Sequence, residues 1–203
     1  MTNRITFCFV LFCLLFIATV NAQSYTQPER LFGKGQLDLS VGIGLTPSFL
    51  LEGGTMIVPP LSLSADYMVN KKLSLGMYGG FSRTDGQKKM YPIADKGHVV
   101  YKEGQWRNTY SEFGLRAAIH YNELEKWDFY GGMQLGYSIS KIDALLPDLE
   151  EIENHLGIVP VRTTFLPGAF VGAKYAISNR ISAFSEIGCG VSLVKAGFSV
   201  RLK

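Results

Sequence analysis

In the stretch from Arg180 to Lys203 the last strand, Val194 to Leu202, alternates in character residue by residue, and few folds accept that pattern at the end of a chain. Val194, Ala196, Phe198, Val200 and Leu202 fall on one face, and Lys195, Gly197, Ser199 and Arg201 on the other. Successive side chains of a strand point to opposite sides of a sheet, so this is a β-strand with an apolar and a polar face. A second strand, roughly Ile181 to Gly190, enters it through Val191 to Leu193, and the two form a closing hairpin.

The same period recurs upstream. A first strand from Gln36 sets Leu37, Leu39, Val41, Ile43 and Leu45 against Asp38, Ser40, Gly42 and Gly44. After a loop with Pro47, Gly53, Gly54, Pro59 and Pro60, a second strand runs from Leu61 to Val69, and Asn70 to Lys72 turns into a third, Leu73 to Ser82. Residues 83–107 read as a long polar loop. Ser111, Phe113, Leu115, Ala117, Ile119 and Tyr121 then oppose Glu112, Gly114, Arg116, Ala118 and His120 in a fourth strand. Asn122 to Lys126 turns into a fifth, Trp127 to Ser140. A second long loop, 141–161, has the signals of one short helix: Pro147 to open it, Asp148, Glu150 and Glu151 in its first turn, Gly157 to end it. A sixth strand through Ala169, Val171, Ala173, Tyr175 and Ile177 and the turn Ser178 to Arg180 lead to the closing hairpin, for eight strands in all.

Residues 1–22 stand apart. Asn3 and Arg4 precede an apolar run from Ile5 to Val20, and Ala22 completes a small-residue cleavage pattern, so 1–22 reads as a secretory signal peptide, 23–35 as a flexible lead-in and 36–203 as the folded domain. Cys8 and Cys13 leave with the leader. Cys189 then remains alone, and no internal disulfide can form. No zinc-ligand spacing is present, no cofactor is expected, and a net charge of +3 does not by itself imply a nucleic-acid partner.

The polar face decides where such strands live. On a soluble barrel of the lipocalin kind that face meets water and carries many charges. Here it is mainly Gly and Ser with isolated charges, which suits a narrow lumen, so the apolar face is the outside and meets lipid. Tyr67, Tyr121, Trp127, Phe129 and Tyr175 fall on the apolar face near the short turns, where an interfacial aromatic girdle belongs, and Phe81, Tyr110 and Tyr137 are candidates for the opposite rim. Short turns after strands two, four and six, and long connections after one, three and five, match the two unequal rims of an outer-membrane barrel. Backbone in lipid has no water to bond, so the sheet must close. The expected fold is all-β, an eight-stranded antiparallel up-and-down transmembrane β-barrel.

Gly172 to Tyr175, the turn Ser178 to Arg180, Ser185 to Gly188 and Lys195 to Arg201 resemble the C-terminal pattern of the outer membrane protein β-barrel domain family, the small OmpA/OmpX-like barrels. The resemblance is specific over 165–203 and architectural over 36–137. It implies an outer-membrane location, contact with lipid and with the barrel insertion machinery, no cofactor and no single shared activity. Many such chains end in an aromatic residue that the machinery reads; this one ends Leu202, Lys203.

Ten ionisable residues face the expected lumen: Asp38, Asp66, Glu112, Arg116, His120, Asp128, Lys174, Glu186, Lys195 and Arg201. Charges in a narrow interior must pair, so they read as a plugging network; counting from the turns sets His120 opposite Asp128 and Lys174 one diagonal from Glu186. A proton or ion path is the sharper reading of the same residues. A hydrolytic site would need a nucleophile beside His120 and Asp128, and the pattern offers none, so no enzyme is expected. Segment 83–107 holds six basic and three acidic residues and segment 141–161 one basic and five acidic, which makes the two a candidate surface for an extracellular partner. The expected role is structural or adhesive, for envelope integrity or surface interaction; the alternative is a narrow porin-like channel or a conduit for small hydrophobic molecules.

Overall fold

The computed structural model describes residues 32–45, 54–95, 98–146 and 159–202. The leader at 1–22, most of the lead-in and the helix expected within 147–157 lie outside the described residues. All regular structure among those described is β: β1 Leu37–Gly44, β2 Thr55–Met68, β3 Leu73–Asp85, β4 Lys89–Asp95, β5 His98–Gly104, β6 Trp106–Tyr121, β7 Trp127–Ala144, β8 Val161–Ala176, β9 Ile181–Gly188 and β10 Val194–Arg201.

Eight of these close into an antiparallel barrel in the order β1-β10-β9-β8-β7-β6-β3-β2, and β4 pairs with β5 outside it. The seam joins the two ends of the domain: Asp38 pairs with Arg201, Val41 with Phe198 and Gly44 with Lys195, and Ser40 Oγ meets Ser199 Oγ at 3.1 Å inside. The edges that β1 and β10 would expose in an open sheet are thereby paired with each other, as a sheet in lipid requires over the height of these strands.

The barrel is inverted relative to a water-soluble protein. Leu115 and Ile119 are 68% exposed on the outer face and Met133 69%, whereas Gln134, next to Met133 in sequence, is 1% exposed in the lumen. The outer face of β7 runs from Trp127 to Tyr137; ten residue steps of tilted strand cover about 25 Å, the height of a barrel's apolar band. Aromatic rings fill much of the interior: Tyr130 and Phe170 lie edge to face at 6.2 Å and pack with Ala118.

The wall is not of uniform height. β1, β9 and β10 have eight residues each, but β2, β3, β6, β7 and β8 have 14, 13, 16, 18 and 16. Several sequence-based bounds change as a result. Residues 55–60, read as loop because of Pro59 and Pro60, belong to β2, with register shifts on either side of Val58. β1 pairs with β2 only as far as Ile43 with Leu61, so the prolines sit on a free edge, where a missing N–H breaks no ladder. Pro167 is placed likewise on β8, beyond its last pair with β9 at Phe170 and Gly188. Segment 83–107 is not a loop either: its ends extend β3 and β6, and its middle is the β4–β5 arm. A ribbon without a buried face has little to impose alternation, so it left no periodic signal. Lys141 to Ala144 likewise continue β7, and Val161 opens β8.

Part of the lead-in is docked. Phe32 is buried at the short-turn end, where Asn122 Nδ2 donates to its carbonyl at 3.0 Å and the Arg201 guanidinium lies 5.1 Å from its ring centre. Gly35 adopts φ 84° to bring the chain into β1.

Candidate functional site

The alternation of each strand carries all ten ionisable residues into the lumen. Asp38, Asp66, Glu112, Arg116, His120, Asp128, Lys174 and Glu186 are buried, and the side chains of Lys195 and Arg201 are 13% and 15% exposed. Arg116 is the hub. Its Nη2 donates to Glu186 Oε2 at 2.8 Å, its Nε lies 3.2 Å from Asp66 Oδ1, and its guanidinium is 4.0 Å from the Phe170 ring centre. Glu186 also meets Lys195 Nζ at 2.6 Å and accepts from the Tyr130 hydroxyl at 3.2 Å. Asp38 takes Lys174 at 3.1 Å, Arg201 at 3.8 Å and Gln36 Nε2 at 2.7 Å. Lys174 thus pairs across the seam with Asp38, while Glu186, one diagonal from it in register, turns to Arg116 and Lys195. The void among these groups is about 10 Å³, roughly the space for a single water.

His120 and Asp128 touch without being opposite one another. The register pairs His120 with Tyr130 and Asp128 with Lys174, because the turn leaves Trp127 and Asp128 beyond the last β6 pair. The contact is diagonal: His120 Nδ1 to Asp128 Oδ2 is 2.8 Å, and on the other ring nitrogen Nε2 to Ser74 Oγ is 2.8 Å. Sequence reasoning missed Ser74 because it arrives from β3, a strand distant in sequence. Ser, His and Asp therefore stand in line, as in an acyl-transfer triad. Ser74 Oγ nevertheless opens on no space for a carbonyl, since the residue is 1% exposed. What the arrangement does is satisfy a buried imidazole on both nitrogens.

Nearer the long-loop rim the lumen is closed by the chain between β9 and β10. Gly190 adopts φ 144°, and Val191 and Ser192 turn inward and are buried. Gln134 Nε2 donates to the Cys189 carbonyl at 2.7 Å. The cradle is cut to size by glycine on separate strands: a Cβ on Gly44 of β1 would collide with Ser192 Cβ, and one on Gly80 of β3 would stand 2.9 Å from Val191 Cγ1. Glu112 lies beside this turn and accepts from the Tyr110 hydroxyl at 3.0 Å.

Tyr110 therefore does not join the outer rim. It shares parity with Glu112, so it points into the lumen and is 2% exposed; Ser111 and Phe113 take the outer face. Tyr137 does face outward and packs against Phe165 at 5.5 Å, and Phe81 lies under the Arg83 guanidinium at 5.7 Å. At the short-turn end Tyr67, Tyr121, Trp127, Phe129 and Tyr175 are all exposed, and Trp127 stacks on Phe129 at 5.7 Å and contacts Tyr175 at 4.9 Å.

Beyond the outer aromatics, β3 and β6 are tied by a bidentate pair. Arg107 Nε donates to Asp85 Oδ1 at 2.7 Å and Nη2 to Oδ2 at 2.8 Å. The hydrogen bond from Arg107 holds the Asp85 carboxyl below its ordinary value, and the Asp85 carboxylate raises Arg107 in return. The arm is rooted in the same place: Tyr91 meets Trp106 edge to face at 5.1 Å. Its far side leaves Met90, Val99 and Tyr101 exposed.

No family model matches the chain, and no curated protein matches it. Solved structures do. The outer membrane protein OprG from Pseudomonas aeruginosa is 11% identical, with a TM-score of 0.51 over 88% of this chain and 99% of that one. The N-terminal β-barrel domain of Pseudomonas aeruginosa OprF is 11% identical, with a TM-score of 0.48 over 84% and 99%. Ail, the attachment invasion locus protein of Yersinia pestis, is 12% identical, with a TM-score of 0.41 over 83% and 95%. At such identities the likeness is one of architecture, and it rests on the first of the three. The chain has the fold of the small eight-stranded outer-membrane barrels.

Proposed function

We propose that this barrel resides in the outer membrane of a Gram-negative cell after removal of residues 1–22, and that it works as a structural or surface-interaction protein rather than as a channel or an enzyme. The supporting observation is the filled lumen. Paired charges occupy its middle, the inward turn at 190–192 its outer part and Phe32 its inner mouth, so the parts free to act are outside. Those parts are the tall wall of β2, β3 and β6 to β8 and the β4–β5 arm, whose Lys88, Lys89 and Lys102 give it a basic character suited to an acidic extracellular partner.

One observation favours the alternative of a conduit for small hydrophobic molecules: the low wall at β1, β9 and β10, with prolines on both flanking strands. A single preparation separates the readings. Outer-membrane fractions should hold a heat-modifiable species whose conductance in planar bilayers stays at background. Excision of residues 88–104 should remove surface adhesion and leave that species intact. Conductance well above background would favour the channel, and adhesion unchanged by the excision would remove the arm from the account.

A further inference from the structure

The outer wall is not uniformly ridged. Across β1, β2, β3, β6, β7 and β8 lies a groove of about 690 Å³. It follows the hydrogen-bonding direction between two cross-strand rows, one through Met77, Leu115 and Leu135 and the other through Phe113, Tyr137 and Phe165. The second row is interrupted at Gly79, which pairs with Phe113 but has no side chain to contribute. The floor is thin. Gly114 and Gly136 pair there, and the Tyr78 ring backs them from inside, so close that a Cβ on Gly136 would meet its hydroxyl at 2.7 Å.

We propose that this groove holds one hydrocarbon chain of an outer-leaflet lipid. It is continuous with the lipid-facing belt, and its ridges carry no charged side chain. Its path favours a flexible occupant: it bends around six of the eight strands, and the convex wall of a second barrel could touch only a short part of it. Five interstrand steps make it roughly 24 Å long, and strand tilt sets it oblique to the membrane, so it descends through about one leaflet of a ~30 Å core. Its upper end is the Tyr137–Phe165 pair at the outer rim, where a headgroup would sit. Its lower end is Leu39, one outward-facing position above Leu37, which pairs with Tyr67 of the inner girdle.

Gly79 supplies the test. A Cβ there would meet only the Glu112 carbonyl oxygen, at 3.5 Å, so the backbone accepts a side chain. The full chain, extracted from outer membranes in mild detergent, is examined by native mass spectrometry for retained phospholipid and lipopolysaccharide. Wild type should retain one lipid per barrel. Gly79→Leu should reduce its occupancy about tenfold, as expected when two buried methylenes are displaced. Ala196→Leu places the same leucine side chain on the outer face of β10, away from the groove, and should retain the lipid. Equal retention in both variants would overturn the proposal, as would a cross-linkable dimer that Gly79→Leu abolishes, which would make a second copy the occupant. Should Gly79→Leu fail to fold, Gly79→Ala is read in its place, with a smaller loss expected in the same direction and unchanged retention counting against the groove. The inference rests on the membrane placement proposed above, which heat-modifiability reports independently: a folded, membrane-derived barrel that keeps its lipid in Gly79→Leu refutes the groove alone.

Discussion

The low wall, β9-β10-β1, and the tall wall, β2-β3-β6-β7-β8, are built from the same alternating strands and meet different demands. The low wall is little more than is needed to close the sheet. It contributes Asp38, Glu186, Lys195 and Arg201 to the lumen and then ends, its last connection folding inward as Val191 and Ser192. The tall wall contributes Arg116, Asp66 and Lys174 at the same depth, then continues past the outer aromatics to carry the arm. Closure and outward reach are thus divided between two sides of one barrel, with the ion pairs Arg116–Glu186 and Lys174–Asp38 crossing from one side to the other.

That division predicts a gradient of damage. Deleting Val194 to Lys203 removes β10, opens β1 and β9 at once and strips the lumen of two cations. No heat-modifiable, membrane-inserted protein should remain, and stable insertion of the truncated chain would sink the eight-strand closure. Arg116→Met should be next. The hub joins the two walls, and its loss leaves Asp66 without its cation and Glu186 with Lys195 alone, at a cost of about 3–5 kcal/mol. Urea unfolding in lipid vesicles measures this. Adding Asp66→Asn and Glu186→Gln should recover part of the loss, because the damage lies in stranded charge more than in missing attraction. No recovery would mean that Arg116 acts chiefly through its packing on Phe170.

What the sequence disclosed follows the same line. Strands with an apolar outward face and a polar face in the lumen alternate strictly, so the eight barrel strands, the seam and the ten lumen charges could be placed from parity alone. Parity also shows why Tyr110 was misplaced: counted from Glu112, it belongs inside. Where both faces of a strand meet water the alternation lapses, so the β4–β5 arm and the upper parts of β2 and β7 read as loop. Pro59 and Pro60 strengthened that misreading, because a proline argues against a central strand but not against a free edge. Pairing partners were beyond reach for another reason. Ser74 beside His120, and Asp38 beside Lys174, meet through register accumulated around the barrel, and two residues of error at the 122–126 turn already displaced His120 from Asp128.

The mildest prediction concerns the tall wall alone, where β3 and β6 are joined by Asp85 and Arg107 outside the lipid-facing belt. The hydrogen bond from Arg107 lowers the folded-state pKa of Asp85 beneath its unfolded value, so the pair's stabilisation is fully present above the ordinary carboxylate range. It is lost as pH falls through the lowered folded value, when the carboxyl takes a proton and gives up its bidentate partner. The barrel below should not respond, since its ladders close without this pair. In a Trp127→Phe background, Trp106, adjacent to Arg107, should report the change as an acid-side fluorescence transition below about pH 4, with heat-modifiability unaltered. Asp85→Asn should flatten that transition and leave the rim slightly looser at neutral pH. A transition that persists in Asp85→Asn would assign it to another acid of the arm, such as Glu103 with its Lys88 partner at 3.4 Å, and would show that the tall wall does not depend on its bidentate tie.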